Sequence, residues 1–318
     1  MLMRKIYTVI VIIASACFVN AQQRTLHSQY IFNDFILNPA IAGTGNYSPA
    51  ALSLRKQWVG INEAPVTQSL SWHTYCGKNV GMGGYIFNDV AGPTRRTGIN
   101  YSFAYHVKIK EHNKLSFGLA GQLFQYLLES DKLITAEPDD QAIYEDNTNQ
   151  LIPDITFGMY YFSNSYYVGF TAFNLIQTRL DMYDVSVANQ NNLLRTYYLT
   201  GGYKIDLNDS YMLEPSLHMQ FMETSPLQFD ITARLVYEKV IWAGFSYRLK
   251  DAVVCLVGTS YRFLDFGYSY DITLSDLKDY NSGSHELFIG YRFLNKFSST
   301  EKSKVPWFKR NRMYSPIF

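Results

Sequence analysis

The feature that most constrains the fold is a pair of long alternating segments between Thr97 and Glu129, joined by a short polar turn. One parity of the first segment carries Ile99, Tyr101, Phe103, Tyr105, Val107 and Ile109, and the other carries Asn100, Ser102, Ala104, His106, Lys108 and Lys110. After Glu111-His112-Asn113 the alternation resumes with Leu115, Phe117, Leu119 and Leu123 on the apolar parity. Side chains alternate between two faces in extended strands, so the pattern predicts an antiparallel hairpin.

Each arm of this hairpin has roughly the 9–11 residues that a tilted strand needs to cross a bilayer. The apolar face carries large side chains without a charge, whereas the opposite face is small and polar, which predicts lipid outside and a wet lumen inside. The 26 Tyr and 21 Phe suit the aromatic girdles of such strands. A formal net charge of +1 indicates no nucleic-acid partner.

The N-terminus predicts export. Met1–Lys5 is short and basic, residues 6–19 are apolar, and Val19-Asn20-Ala21 is a small-x-small cleavage site. Residues 1–21 are therefore interpreted as a signal peptide, cleaved after Ala21 and excluded from the fold. Residues 22–49 contain Pro39 and two glycines, which argue against a continuous strand or helix. We expect them to form a periplasmic or lumenal segment.

Residues 50–294 predict an all-β fold, a transmembrane antiparallel up-and-down β-barrel of about 14 strands. The expected strands are 50–58, 65–75, 79–88, 97–110, 114–128, 153–162, 165–175, 194–206, 210–221, 227–238, 239–249, 252–263, 264–274 and 285–294. The long connections, 89–96, 129–152, 176–193 and 275–284, are all odd-numbered. Long loops of outer-membrane barrels are extracellular, so we expect both termini on the periplasmic side.

Late strands repeat a Gly-x-Ser-Tyr-charged pattern that places charges on the inward parity. The predicted lumen wall comprises Glu214, His218, Asp230, Arg234, Arg248, Arg262, Asp271 and Arg292. Such a wall either holds a plug, a solute or a partner peptide, or forms an internal salt-bridge network that stabilises one side of the barrel.

Signals for enzymatic chemistry are weak. The six histidines lack metal-ligand spacing, and neither a Gly-x-Ser-x-Gly elbow nor a Gly-rich loop followed by Lys-Ser/Thr occurs. Acidic residues between 137 and 146 either bind calcium or form a solvated loop. We therefore expect no catalytic, cofactor-binding or metal site, and no enzyme.

Several stretches, taken in order, carry a family resemblance. They are Ser28-Gln29-Tyr30, Asn38-Pro39-Ala40-Ile41-Ala42-Gly43, Arg55-Lys56-Gln57-Trp58, Ala64-Pro65-Val66-Thr67-Gln68, Ser71-Trp72-His73, Gly81-Met82-Gly83-Gly84-Tyr85-Ile86 and Asp89-Val90-Ala91-Gly92-Pro93. With these stretches the sequence resembles the PorP/SprF family of outer-membrane proteins of Bacteroidota, associated with the type IX secretion system and gliding motility. It implies a non-enzymatic outer-membrane barrel that supports protein transport or retains a secreted surface adhesin, through periplasmic components of the secretion machine. A β-barrel fold by itself is equally compatible with a general porin or a hydrophobic-solute transporter.

The C-terminal tail, 295–318, is basic and aromatic. Its candidate docking residues are Lys304, Trp307, Phe308, Lys309, Arg310 and Arg312. We expect this tail to be periplasmic and to dock an acidic, groove-bearing partner, with cations setting the encounter rate and aromatic side chains anchoring the complex. The alternatives are a loose basic end, or one whose Phe318 assists barrel assembly.

Overall fold

In the computed structural model the described residues are 30, 33–110, 113–132, 148–180, 192–223, 225–295 and 297. The predicted signal peptide, the acidic residues 137–146 and the docking residues of the tail lie outside them. Among the described residues, no helix has both the length and the apolar character needed to span a membrane.

The described chain is built almost entirely of strands. They are β1 (Tyr47–Lys56), β2 (Val66–Gly77), β3 (Val80–Ala91), β4 (Thr94–Lys108), β5 (Lys114–Leu128), β6 (Thr148–Phe162), β7 (Tyr166–Phe173), β8 (Thr196–Tyr203), β9 (Ile205–Asp206), β10 (Tyr211–Met222), β11 (Ser225–Tyr237), β12 (Ile241–Arg248), β13 (Ala252–Tyr261), β14 (Leu264–Thr273) and β15 (Ser284–Leu294). Short 3-10 helices occupy Asp34–Ile36, Pro39–Ile41, Ser130–Lys132 and Asp276–Asp279.

The strands form one closed antiparallel ring. β1 pairs with β2 on one side and with β15 on the other, and β10 pairs with β11 and β8. The two-residue β9 also pairs with β10, so β8 and β9 share one position and the barrel has fourteen strands around its circumference. The predicted all-β, antiparallel up-and-down transmembrane barrel is confirmed.

The faces of the β4–β5 hairpin are as their alternation predicts. Tyr101 is 62% exposed and Leu119 is 54% exposed, whereas Ser102 and Ala120 are buried. The two strands pair without a register break from Thr94↔Leu128 to Lys108↔Lys114. The large apolar parity therefore faces outward, where a bilayer would lie, and the small parity faces inward.

The connections sort by length between the two ends of the barrel, with one correction. Long connections follow β1, β5, β7 and β14, and all of them lie at the same end. The expected third long loop, 89–96, is wrong because β3 and β4 pair up to Ala91↔Thr94. Asp89 is buried and accepts hydrogen bonds from Thr67 Oγ1, at 2.7 Å, and from Arg96. Asp89 and Arg96, which were expected to bound a loop, instead lie on the paired strands β3 and β4 and form an ion pair.

Strand β6 begins at Thr148, earlier than the expected 153, and contains Pro153. The described pairing of β7 with β6 extends only to Ala172↔Phe157. Beyond it, Ile155 O accepts from Leu175 N and Pro153 O accepts from Thr178 Oγ1, so the missing N–H of Pro153 lies on the side where β7 has already ended. A proline is tolerated there because no ladder hydrogen bond is lost.

Residues 33–46 precede β1 and lie inside the barrel; we call them the strap. The strap contains two of the 3-10 helices, and Phe35, Ala40 and Ile41 are buried in it. These side chains form one apolar cluster with inward residues of the wall, namely Tyr85, Ala104, Tyr160 and Phe162. The strap thus supplies the core against which one half of the barrel packs.

Candidate functional site

The strap is fixed to the barrel wall through the side chain of Asn38. Its Nδ2 donates to the backbone oxygens of Met159 on β6, at 3.0 Å, and Phe170 on β7, at 3.4 Å. Its Oδ1 accepts from Ala40 N at 2.9 Å, which caps the second 3-10 helix. Asn38 is buried, and its single amide therefore forms hydrogen bonds with backbone groups of the strap and of the two strands beneath it.

Inward glycines leave the space that the strap occupies. A Cβ at Gly81 of β3 would overlap the carbonyl of Ala42, and one at Gly118 of β5 would overlap the backbone of Ala40. A Cβ at Gly158 of β6 would meet Oδ1 of Asn38. The strap backbone therefore approaches the wall more closely than any residue with a side chain would allow. This contact corrects the expectation of a wet lumen behind the β4–β5 hairpin.

The second half of the strap is held by side chains of β2 and β5. Ser116 Oγ donates to Ala40 O at 2.6 Å. Gly43 N donates to Nδ1 of His73 at 3.1 Å. Because Nδ1 is the acceptor, His73 carries its proton on Nε2 in this arrangement. A second buried histidine, His106 of β4, faces the backbone of Ala42 from the neighbouring side.

Tyr30 lies against the other half of the barrel. Its hydroxyl shares a hydrogen bond of 2.9 Å with Thr232 Oγ1 on β11. Its ring stacks on His218 of β10 with centroids 4.8 Å apart. Tyr30 and the strap therefore contact different parts of the inner wall, Tyr30 at β10 and β11 and the strap at β2, β5, β6 and β7.

The second half of the barrel is lined by an ion network centred on Asp271 of β14. Its Oδ2 accepts from Arg55 Nη2 at 2.8 Å and from Arg248 Nη1 at 3.2 Å. Arg248 also contacts Asp230, and Arg55 contacts Glu286. All five side chains are buried. The network connects β11, β12, β14, β15 and β1, and so includes the pair of strands that closes the ring.

Most residues of the predicted lumen wall face inward. Glu214, His218, Asp230, Arg234, Arg248, Asp271 and Arg292 are buried. Arg234 pairs with Glu214, and Arg292 Nε lies 3.0 Å from Asp265 Oδ2. The carboxylates and guanidinium groups of the wall thus form ion pairs with one another, as the salt-bridge alternative expects.

Arg262 is a correction, because it does not lie on the lumen wall. It is exposed, occupies the tight turn between β13 and β14, and has a φ of 57°. Its guanidinium stacks on the neighbouring Tyr261 ring at 5.3 Å. The repeat pattern placed it inward because β13 was expected to run to residue 263, whereas the strand ends at Tyr261.

Three members of the ion pairs, Arg55, Glu286 and Asp265, were not predicted. Each lies on the inward parity of its strand. Asp265 shares that parity with Asp271, and Glu286 shares it with Arg292, so alternation would have identified both. Arg55 belongs to the Arg-Lys-Gln-Trp motif, whose role the sequence left open. The structure assigns its side chain to the closure network.

The described residues bring together no group of three His, Cys, Asp or Glu side chains that could hold a metal ion. Cys76 and Cys255 lie on separate strands and are both free thiols. At the end of β15, Asn295 Nδ2 donates to Tyr75 O of β2 at 3.0 Å. The start of the tail is therefore fixed at the barrel end that carries the short turns.

Solved structures of a transporter and related channels align with this barrel. The toluene transporter TbuX of Ralstonia pickettii aligns with a TM-score of 0.51 at 9% identity, covering 83% of this chain and 94% of that chain. The CymD monoaromatic hydrocarbon channel aligns with a TM-score of 0.49 at 12% identity, covering 87% and 96%. A Pseudomonas aeruginosa FadL homologue gives 0.47 at 10% identity, covering 83% and 94%. At 9% identity the likeness to TbuX concerns the fold alone.

No curated protein matches the sequence. Residues 19–291 match the family described as type IX secretion system membrane protein PorP/SprF. This match covers the strap and the described barrel apart from the last three residues of β15, 292–294. The chain belongs to the PorP/SprF family of type IX secretion system membrane proteins.

Proposed function

We propose that this protein is a non-enzymatic outer-membrane barrel that supports type IX secretion by docking periplasmic components and a secreted surface adhesin. The observation that carries the proposal is the filled interior. The strap occupies one half, where glycines of the wall admit its backbone, and buried ion pairs line the other half. An interior packed in this way suits a platform for protein contacts better than a general pore.

The barrel end with the short turns supports a periplasmic docking role. Among the residues that the structure describes at this end, the exposed basic ones are Lys78, Lys108, Lys110, Lys114 and Arg262, and the exposed acidic ones are Asp206, Asp209 and Glu238. The basic tail leaves β15 at this same end, where Asn295 is fixed to β2. The rim and the tail together offer positive charge to an acidic partner, which would raise its association rate.

Co-purification of partners from outer membranes tests the proposal. We expect the full-length protein to retain periplasmic and surface-protein partners and to display the adhesin. Deletion of residues 298–318 should leave a heat-modifiable barrel but abolish both. Replacing only the basic residues of the tail with Gln, while keeping Trp307 and Phe308, should slow association and reduce its salt dependence.

Liposome swelling separates this role from the alternative. A porin or hydrophobic-solute transporter would give solute-dependent swelling, and no stable protein partner would depend on the tail. Adhesin display that is normal after the deletion would contradict docking by the tail. Loss of the barrel itself would assign the tail to assembly.

The orientation of the barrel in the outer membrane can be tested separately. Both insertion sites are exposed in the structure, at Lys278 after β14 and at Asn208 before β10, and they lie at opposite ends. We expect an epitope at Lys278 to be labelled on intact cells and one at Asn208 to be labelled only after permeabilisation. The reverse result would invert the topology and place the basic rim outside the cell.

A further inference from the structure

The contact between the strap and the wall is tight but leaves polar atoms unpaired. Nδ2 of Asn33 and Oδ2 of Asp34 are buried without a hydrogen-bond partner among the described residues. Buried polar groups are nearly always paired, and an unpaired one destabilises the state that buries it. The docked strap therefore carries a cost that its release would remove.

The hydrogen bond between Gly43 N and His73 Nδ1 depends on protonation. Neutral His73 offers a lone pair on Nδ1, whereas protonated His73 would present an N–H to the N–H of Gly43. The charged groups that act on this region are the neighbouring His106 and, from β5, Lys114. Phe35 of the strap covers the His73 ring with centroids 4.8 Å apart. A proton on His73 would thus be buried against an apolar ring and beside other groups that carry or gain positive charge.

We propose that the strap is a releasable element that closes the barrel interior, and that His73 is its proton-sensitive latch. In the neutral state the latch holds Gly43 against β2. Protonation breaks that hydrogen bond, adds a buried positive charge and frees the second half of the strap. The inference concerns the interior of the barrel and does not depend on the proposed secretion role.

The other titratable group of the strap acts in the opposite direction. Burial raises the pKa of Asp34 to about 7, so the docked strap favours its neutral form. Acidification therefore strengthens docking through Asp34 and weakens it through His73. Release in acid therefore cannot come from Asp34. Its sign fits a buried histidine, His73 or the neighbouring His106, and substitutions at the two positions separate them.

Thiol accessibility of the full-length protein tests the latch. Ile41 is buried in the strap, and the free thiols Cys76 and Cys255 can be replaced by Ser. In this background, with Asp34→Asn added so that the opposing carboxyl does not titrate, an Ile41→Cys variant is labelled with an aromatic disulfide that reacts in acid, and each rate is normalised to the denatured protein at the same pH. We expect labelling to be slow at about pH 6.5 and at least about tenfold faster at about pH 4.5, across the range where histidines gain a proton.

Three variants decide the interpretation. His73→Gln keeps an oxygen that can accept from Gly43 N but cannot titrate, so labelling should stay slow at both pH values. His106→Gln should reduce the acid response. Gly81→Ala, whose methyl group would overlap the Ala42 carbonyl, should give fast labelling at both.

Two outcomes would overturn the proposal. One is equal protection of Ile41→Cys at both pH values, and the other is an acid response that survives in His73→Gln. If Ile41→Cys itself loosens the strap and labels fast throughout, Leu37→Cys, a second buried position of the strap, gives the same test.

Discussion

Arg55 Nη2 lies 2.8 Å from Asp271 Oδ2, although the two residues are 216 positions apart in the chain. Arg55 is on β1 and Asp271 is on β14, so their side chains meet across β15 on the inner face of the sheet. Asp271 receives Arg248 from the other side, across β13. The ion pair therefore reinforces the place where the last strand of the barrel pairs with the first.

Asp271→Asn should destabilise the closed barrel by about 3–5 kcal/mol, because it leaves two buried guanidinium groups short of negative charge. The measurement is the urea midpoint of the refolded protein, followed by heat-modifiable mobility. Asp276→Asn is the matched control, since Asp276 is exposed in the connection after β14. Equal midpoints for the two variants would show that the network does not stabilise closure.

The outward parity of β4 predicts a penalty for charge at the bilayer. Tyr101→Arg should destabilise insertion by about 2–4 kcal/mol if it lies near the midplane. Gln122→Arg on β5 should be milder, because Gln122 faces inward and is only half-buried. Folding into liposomes measures both. Equal costs would contradict the assignment of the two faces.

Alternation was sufficient to predict the barrel and the inward charges, because parity fixes the face of every residue in a regular strand. It failed where a strand ended earlier than its pattern, as at Arg262, or continued through charge and proline, as at Asp89 and Pro153. Those limits depend on pairing with neighbouring strands. A single strand pattern does not contain that information.

The contact between the strap and the wall also could not be predicted from the sequence pattern. Gly81, Gly118 and Gly158 stand at inward positions, where a glycine in a strand marks close approach of another backbone. The pattern does not say which backbone approaches, because Asn38 lies 120 positions before Gly158 in the chain. Only the closed ring brings β3, β5 and β6 around the strap.

Two glycines of β5 provide a matched test of this approach. Gly118→Ala should cost about 1–3 kcal/mol of strap docking, because its methyl group would overlap the backbone of Ala40. Gly121→Ala on the same strand meets nothing within 4 Å and should be neutral or slightly stabilising. Protease sensitivity of the strap, compared between the two, measures the effect. Similar sensitivities would contradict the proposed close contact.

Strap docking should also weaken as pH rises through about 7. Burial raises the pKa of Asp34 from its ordinary value to about 7, so the folded state binds a proton that the unfolded chain has already released. The resulting loss of stability begins above about pH 4 and is complete above the folded pKa. Asp34→Asn should remove this alkaline loss in a thermal-unfolding series. An unchanged pH profile in that variant would assign the loss to another group.

Substitutions at Asn38 separate its role as a hydrogen-bond donor from its role as an acceptor. Asn38→Ala should cost about 1–3 kcal/mol, since it removes the bonds to Met159 O and Ala40 N. Asn38→Asp should be worse, although it is nearly isosteric. The carboxylate can still accept from Ala40 N, but it places an oxygen where Nδ2 donates to the carbonyls of Met159 and Phe170, and it buries a charge.

Asn208 is the control for the Asn38 series. It is exposed, and its Oδ1 only accepts, from Ser210 N and Tyr211 N at 2.9 Å, so Asn208→Asp preserves every contact. Denaturant midpoints should therefore fall in the order Asn208→Asp, Asn38→Ala, Asn38→Asp. If Asn38→Asp proves more stable than Asn38→Ala, the donated bonds to β6 and β7 do not hold the strap, and its anchoring must come from the glycine-lined contact and the latch at His73.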